Sequence, residues 1–228
     1  MGLWTLVTDP RTFFDRRQDD YSLVGPALVV SAHALLALLT TVVLLRSVGD
    51  VITGIEAEQI VYAAGSQRIS APRQIVLALW GTGVLYFVLW VVVSLVTYLV
   101  SRYYDGTGSF RRVLAFVGWT LVPTLVPMLA TSVVMIALFL DAPTFESEAA
   151  VEQWARANVV GNPVRVALQA LRPLFTLWMV YLWVLAAEYS RELTRRQALV
   201  CVALPGAIAG LNALGNLAGL AAQALGLV

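Results

Sequence analysis

Long apolar runs alternate along the chain with short stretches that gather most of its charge. Four runs, Pro26–Leu45, Ile75–Val100, Val113–Leu140 and Ala198–Val228, have the length a helix needs to cross a bilayer, which is about 20 residues for about 30 Å of hydrocarbon. A fifth, Leu174–Ala187, is short alone. It reaches span length if Arg172 and Glu188 mark its two interfaces, with the arginine snorkelling outward. Lipid offers no hydrogen-bond partners to the backbone, and none of the runs alternates with the period of a barrel strand, so all five read as helices. The pattern predicts an all-α polytopic transmembrane bundle, with helices over about 24–46, 75–100, 113–140, 170–189 and 198–226 in a single integral membrane domain, 1–228.

The connections carry their own signals. Asp9-Pro10 is a helix start, and Phe13-Phe14 followed by Arg16-Arg17 sets aromatic rings beside cations. That combination predicts a short N-terminal interfacial helix over Trp4–Arg17 with its rings inserted in the headgroup layer; a dock for a cytosolic partner would share the same features. Ile55, Ile60 and Val61 are spaced for one face of a short helix over Gly54–Ala64. Thr144 or Ser147 can cap another through Glu148, Glu152 and Arg156. Gly161-Asn162-Pro163 stops that helix and starts the next, with Asn162 as N-cap and Pro163 at the first helical position. Asp50, Glu56, Glu58, Asp141 and Glu146 in these two loops read as a solvated rim.

Composition narrows the class. Hydrophobic residues make up 59% of the 228 and charged ones only 13%, about half of what a soluble domain carries. Mean hydropathy is +0.78. A net charge of +1 gives no case for nucleic acid. The single cysteine, Cys201, excludes an intrachain disulfide or a cysteine metal cluster, and its apolar surroundings suit a buried inert thiol. Met1–Tyr21 mixes Asp9, Asp15, Asp19 and Asp20 with arginines and lacks the order of a cleaved leader, so the first span is expected to remain as an anchor.

All basic residues are arginines, and their placement sets an orientation. Arg11, Arg16, Arg17, Arg102, Arg111, Arg112, Arg191, Arg195 and Arg196 fall on one side. Arg46, Arg68, Arg73, Arg156, Arg165 and Arg172 fall on the other, spread over longer segments. The excess predicts a multi-pass protein of the cell membrane with a cytoplasmic N-terminus and an outside C-terminus.

Several local patterns, in order, resemble the Yip1 domain family in its prokaryotic form. Asp9-Pro10-Arg11-Thr12-Phe13-Phe14 is similar to its opening helix. Tyr104-Asp105-Gly106-Thr107-Gly108-Ser109-Phe110-Arg111-Arg112 resembles its Gly-rich turn and Ser-Phe-basic helix start. Gly118-Trp119 before Pro123, and the basic turn Leu193-Thr194-Arg195-Arg196-Gln197-Ala198, complete the series. The resemblance implies five spans and a cytoplasmic N-terminus. Eukaryotic members are associated with Rab-type GTPases and vesicle traffic and carry a longer cytosolic region than Met1–Ser22 here. The shorter members bring no catalytic residues to carry over.

Candidate chemistry is sparse. His33, near the middle of the first span, is the single histidine. An ionisable group at that depth is a functional candidate, set against a neutral ring bonded to another helix, with Asn212 or Asn216 as partner. Those two asparagines share one face of the last span among Gly206, Gly210, Gly215 and Gly219, which suits close helix packing or a polar groove for a headgroup or solute. Pro123, Pro127 and Pro205 predict kinks. Asp105-Gly106-Thr107-Gly108 lacks the Gly-Lys-Ser/Thr ending of a phosphate loop and reads as a flexible turn. Arg102, Arg111, Arg112, Arg191, Arg195 and Arg196 beside it and beside the last turn are candidate contacts for anionic lipid headgroups.

No aspartate falls within a span, no Ser/His pair suits intramembrane proteolysis, and no cofactor or metal site is indicated. The sequence therefore favours a non-enzymatic role in membrane organisation or as a scaffold, in contact with the lipid bilayer and with a second copy or another membrane protein. The alternative is a small-solute or ion transporter or channel with His33, Asn212 and Asn216 as its polar path.

Overall fold

The structure, a computed structural model, describes residues 2–19, 21–53, 59–64 and 67–224. Two short helices, α1 (Leu3–Thr8) and α2 (Pro10–Asp15), precede the first long one, α3 (Val24–Thr53). A two-stranded hairpin, β1 (Gln59–Ala64) and β2 (Gln67–Pro72), leads into α4 (Arg73–Arg102). The chain continues through α5 (Phe110–Trp119), α6 (Val122–Leu140), α7 (Glu148–Ala155), a π-helical turn at Arg156–Val160, α8 (Pro163–Arg191) and α9 (Arg195–Ala224). Among the described residues, α3, α4, α6, α8 and α9 are the five helices long and apolar enough to cross a membrane. The molecule is an all-α polytopic membrane protein, as its hydropathy pattern predicts.

Each long helix packs mainly on two of the others, in the closed order α3, α4, α9, α8, α6 and back to α3. The five thus form a ring. Helix α5 packs on α3, α4 and α8 and fills one end of it. We call that end the base; the hairpin and α7 follow from the opposite ends of α3 and α6.

The break between α5 and α6 departs from the single 113–140 helix expected from the sequence. The span is Val122–Leu140, and Phe110–Trp119 is a separate element. Pro123 explains the break, because it has no N–H for the Trp119 carbonyl one turn earlier and its ring would collide with it. Ser109 caps α5, its Oγ accepting the Arg112 N–H at 3.3 Å. Two glycines allow α5 to sit so close. A Cβ on Gly118 would lie 2.5 Å from Pro26 Cβ and 2.9 Å from Trp90 Nε1, and one on Gly25 would strike the Trp119 ring. Trp90 Nε1 then donates to the Leu114 carbonyl at 2.8 Å, tying α4 to α5.

The aromatic pair of α2 is not inserted in lipid. Phe13 and Phe14 are 0% exposed and pack with Leu6, Phe116, Leu182, Leu185 and Ala186. Phe14 stacks on Phe116 at 5.3 Å, and Phe13 meets Trp119 edge-on at 5.6 Å. These contacts, with both rings out of reach of solvent, make the N-terminal segment part of the bundle. Asp9 caps α2 by accepting the Thr12 N–H at 3.2 Å, and hydrogen bonding from Thr12 holds its carboxyl below the usual aspartate range. What faces outward here is α1, through Leu3, Trp4 and Val7.

The helix expected over Gly54–Ala64 is also corrected: Gln59–Ala64 is a strand paired antiparallel with Gln67–Pro72, Ala64 opposite Gln67. Ile60, Val61 and Tyr62 are β-branched or aromatic and favour a strand. Gly54–Glu58, Gly65 and Ser66 lie outside the described residues. The expected α7 is present, with Ser147 rather than Thr144 as its cap, Oγ accepting the Ala150 N–H at 3.3 Å. Asn162 caps α8 as expected, its Oδ1 accepting the Val164 and Arg165 N–H groups at 3.1 Å each, with Pro163 in the first turn. Helix α8 therefore starts well before residue 170.

Candidate functional site

At the base, two arginines expected at headgroups are instead committed inward. Arg191, 2% exposed at the end of α8, donates from Nε to Ser101 Oγ at 2.8 Å. Its Nη1 and Nη2 donate to the Gly108 and Gly106 carbonyls, and its guanidinium lies 4.7 Å from the Tyr98 ring centre. The Thr107 N–H returns a bond to the Arg191 carbonyl at 3.0 Å. Gly108 is required here: its φ is +84°, and a Cβ would lie 2.6 Å from the Ser190 carbonyl oxygen. The turn read as flexible is thus clamped to α8, with two of its carbonyls on a cation. Arg112 donates from Nε to the Gln18 carbonyl at 2.9 Å and pairs through Nη1 with Glu192 Oε1 at 3.1 Å. Burial and these inward bonds take Arg112 and Arg191 out of the candidate headgroup contacts. Arg102, Arg111, Arg195 and Arg196 remain exposed around the same base.

Above α5 the ring surrounds a half-open cavity of about 780 Å³ to which all five long helices contribute. Its floor is apolar, with Trp90, Val117, Leu121 and Trp183. Its amide and guanidinium groups lie toward the other end: Gln169 and Arg172 on α8, Asn212 and Asn216 on α9, with Thr82 on α4 nearby; hydroxyls line the wall between. The stretch of α8 from Trp183 to Arg172 is about 16 Å long at 1.5 Å per residue.

His33 stands in the wall, 3% exposed. Its Nδ1–H donates to the Val29 carbonyl at 3.0 Å, and Nε2 lies 3.0 Å from Thr124 Oγ1. That hydroxyl is also 2.7 Å from the Leu121 carbonyl. With a neutral ring, two protons serve three contacts, so the Thr124 proton is shared between Nε2 and a carbonyl. The imidazole packs on Tyr86 with ring centres 5.5 Å apart.

The three predicted polar residues therefore line one cavity, though not bonded as expected. The histidine pairs with Thr124 on α6, while Asn216 Nδ2 donates to Asn212 Oδ1 at 3.1 Å within α9. Close packing along the glycine stripe is realised only at Gly206, where a Cβ would meet Val180 Cγ1 at 3.3 Å; Gly210, Gly215 and Gly219 face open space. Sequence reasoning missed Thr124, Tyr86 and Gln169 altogether and took Arg172 as an interface marker. Arg172 lines the cavity. Among the described residues it has no carboxylate partner. The same residues contain no group of three His, Cys, Asp or Glu side chains able to hold a metal ion.

Comparison with known proteins agrees with the architecture. An uncharacterized protein of Methanocaldococcus jannaschii is 26% identical over 132 residues, which is 58% of this chain and 86% of that protein. No solved structure matches the chain. The family model of the Yip1 domain matches residues 4–215, from α1 well into α9. With nearly the whole bundle inside that match, the chain belongs to the Yip1 domain family.

Proposed function

We propose that the chain is a non-enzymatic organiser of the cell membrane. It is a scaffold with its base on the cytoplasmic side and its C-terminus outside, and it works as one domain. The observation that supports this reading is the asymmetry of packing. Helices α1, α2 and α5 and the clamped Asp105–Ser109 turn form a dense base, and exposed Arg102, Arg111, Arg195 and Arg196 surround it. A fixed platform ringed by cations suits anionic headgroups, each cation adding about 1 kcal/mol of attraction near such a surface. It also suits a second copy or another membrane protein held at that surface.

The test has two parts. Single cysteines at Thr107, Thr194 and Ser147 in a Cys201→Ala background are expected to react with an outside reagent only at Ser147. Spin-labelled phosphatidylglycerol in nanodiscs is expected to lose its immobilised fraction when Arg102, Arg111, Arg195 and Arg196 are all replaced by Gln. An unchanged fraction, or labelling of Thr107 from outside, would sink the reading.

A transport reading is supported by the cavity that His33, Asn212 and Asn216 share and opposed by α5, whose Val117 belongs to the cavity floor. Flux of a small solute through reconstituted vesicles, lost in Asn212→Leu, is the result that would favour it.

A further inference from the structure

We propose that the chamber inside the ring binds one anionic phospholipid. One of its two acyl chains lies against Trp90, Val117 and Trp183, the other leaves through the open side of the chamber, and its headgroup rests on Arg172 beside Gln169 and Asn212. This goes beyond the scaffold reading and does not depend on it.

Three observations carry the inference. The chamber is the size of a ligand site, about 780 Å³, with mainly apolar walls and a few polar groups, the composition of sites that take apolar ligands with one polar end. The amide and charged groups are also grouped at one end. Gln169, Arg172, Asn212 and Asn216 lie away from α5, while His33 and Thr124 nearer the floor are bonded to each other and the floor itself is tryptophan, valine and leucine, so the chamber offers its amides and its cation at one end only.

The third observation is the cation. Arg172 lines the chamber and has no carboxylate partner among the described residues. It lies about 28 Å along α8 from Arg191, at 1.5 Å per residue, which is close to the thickness of the hydrocarbon. That sets it at the headgroup boundary of the leaflet opposite the base. An exposed arginine at that boundary that also lines the chamber can meet an anionic headgroup there. Asn216 spends one amide proton on Asn212, which leaves the Asn212 amide free to donate to a phosphate or glycerol oxygen.

The experiment uses the full chain in phosphatidylcholine nanodiscs doped with phosphatidylglycerol that bears a diazirine near the end of one acyl chain. After irradiation, adducts are mapped by mass spectrometry. Adducts are expected on Trp90, Val117 or Trp183, which are 8%, 3% and 6% exposed and line the inner end of the chamber. The same diazirine on phosphatidylcholine should give about fivefold less, the discrimination expected of one basic residue. Arg172→Gln should abolish the preference and Arg172→Lys should keep it. If Arg172→Gln does not fold, the headgroup comparison on the wild-type chain decides.

Adducts confined to outward residues such as Leu99, Leu177 and Leu211 would overturn the proposal, as would equal yields from the two headgroups. So would rapid modification of a Thr124→Cys variant by an aqueous thiol reagent without chain adducts, which would mean a water-filled chamber. These readouts leave the basal arginines untouched, so failure here and failure of the scaffold reading can be told apart.

Discussion

Arg191→Met removes a single side chain and tests whether the base is held by one buried cation. Arg191 makes three charged hydrogen bonds, to Ser101 Oγ and to the Gly106 and Gly108 carbonyls, and stacks on Tyr98. A hydrogen bond to a charged group is worth about 1.5–3 kcal/mol, and a buried acceptor left without a donor costs about 1–3 kcal/mol. Methionine keeps most of the packing volume but supplies no donor. The turn carbonyls lie near the surface, where water can reach part of the loss, so the summed cost comes to about 3–5 kcal/mol. In a chain of this size each kcal/mol moves the midpoint by about 2–4 °C, which gives a fall of about 6–20 °C.

The protein carries its own reporter. Cys201 is the single cysteine and is 1% exposed in the same core, so a thiol-reactive dye in detergent reads unfolding directly. Arg191→Lys keeps the charge but cannot span all three acceptors, and its midpoint should fall between the other two. A midpoint for Arg191→Met within about 2 °C of wild type would refute the clamp. Equal midpoints for Lys and Met would show that the charge itself contributes nothing.

Two helical glycines are expected to answer substitution with opposite signs. Gly118→Val must displace Pro26 or Trp90 and should cost about 1–3 kcal/mol, while Gly210→Ala meets nothing within 4 Å and should gain up to about 1 kcal/mol of helix propensity; the same dye assay reads both, and a destabilised Gly210→Ala would reveal a partner on that face of α9. A double-mutant cycle over His33→Leu and Thr124→Val should give a coupling of about 0.6 kcal/mol and no more than about 1.7, the range of polar pairs between membrane helices. Zero coupling would mean that the α3–α6 bond contributes nothing to stability.

The spans were legible because hydrocarbon imposes one crude demand, length without charge, and the runs around Leu35, Leu89 and Leu204 meet it with no help from neighbours. Caps were legible for a similar reason: Ser147 and Asn162 act on amides two or three residues away. The break at Trp119 was present in the sequence as Pro123, but hydropathy runs straight through it. What failed were inferences that needed to know which surface an aromatic or polar side chain meets, those at Phe13, Phe14 and Arg172 among them. Phe13 and Phe14 have the same composition whether they meet lipid or Phe116, and lipid and protein interior are equally apolar to a hydropathy scale. Thr124 is one of many span hydroxyls until α6 is set beside α3. Arg172 looked like a boundary mark because its depth was right; only ring closure turns it toward the cavity that His33, Asn212 and Asn216 also line. A helix in lipid has no polar face to declare which side is inside, so the site emerges from the order of the helices. That order is set at the base, where α5 wedges between α3, α4 and α8 and Arg191 fixes the turn before it. The densest part of the protein thereby determines the shape of its emptiest.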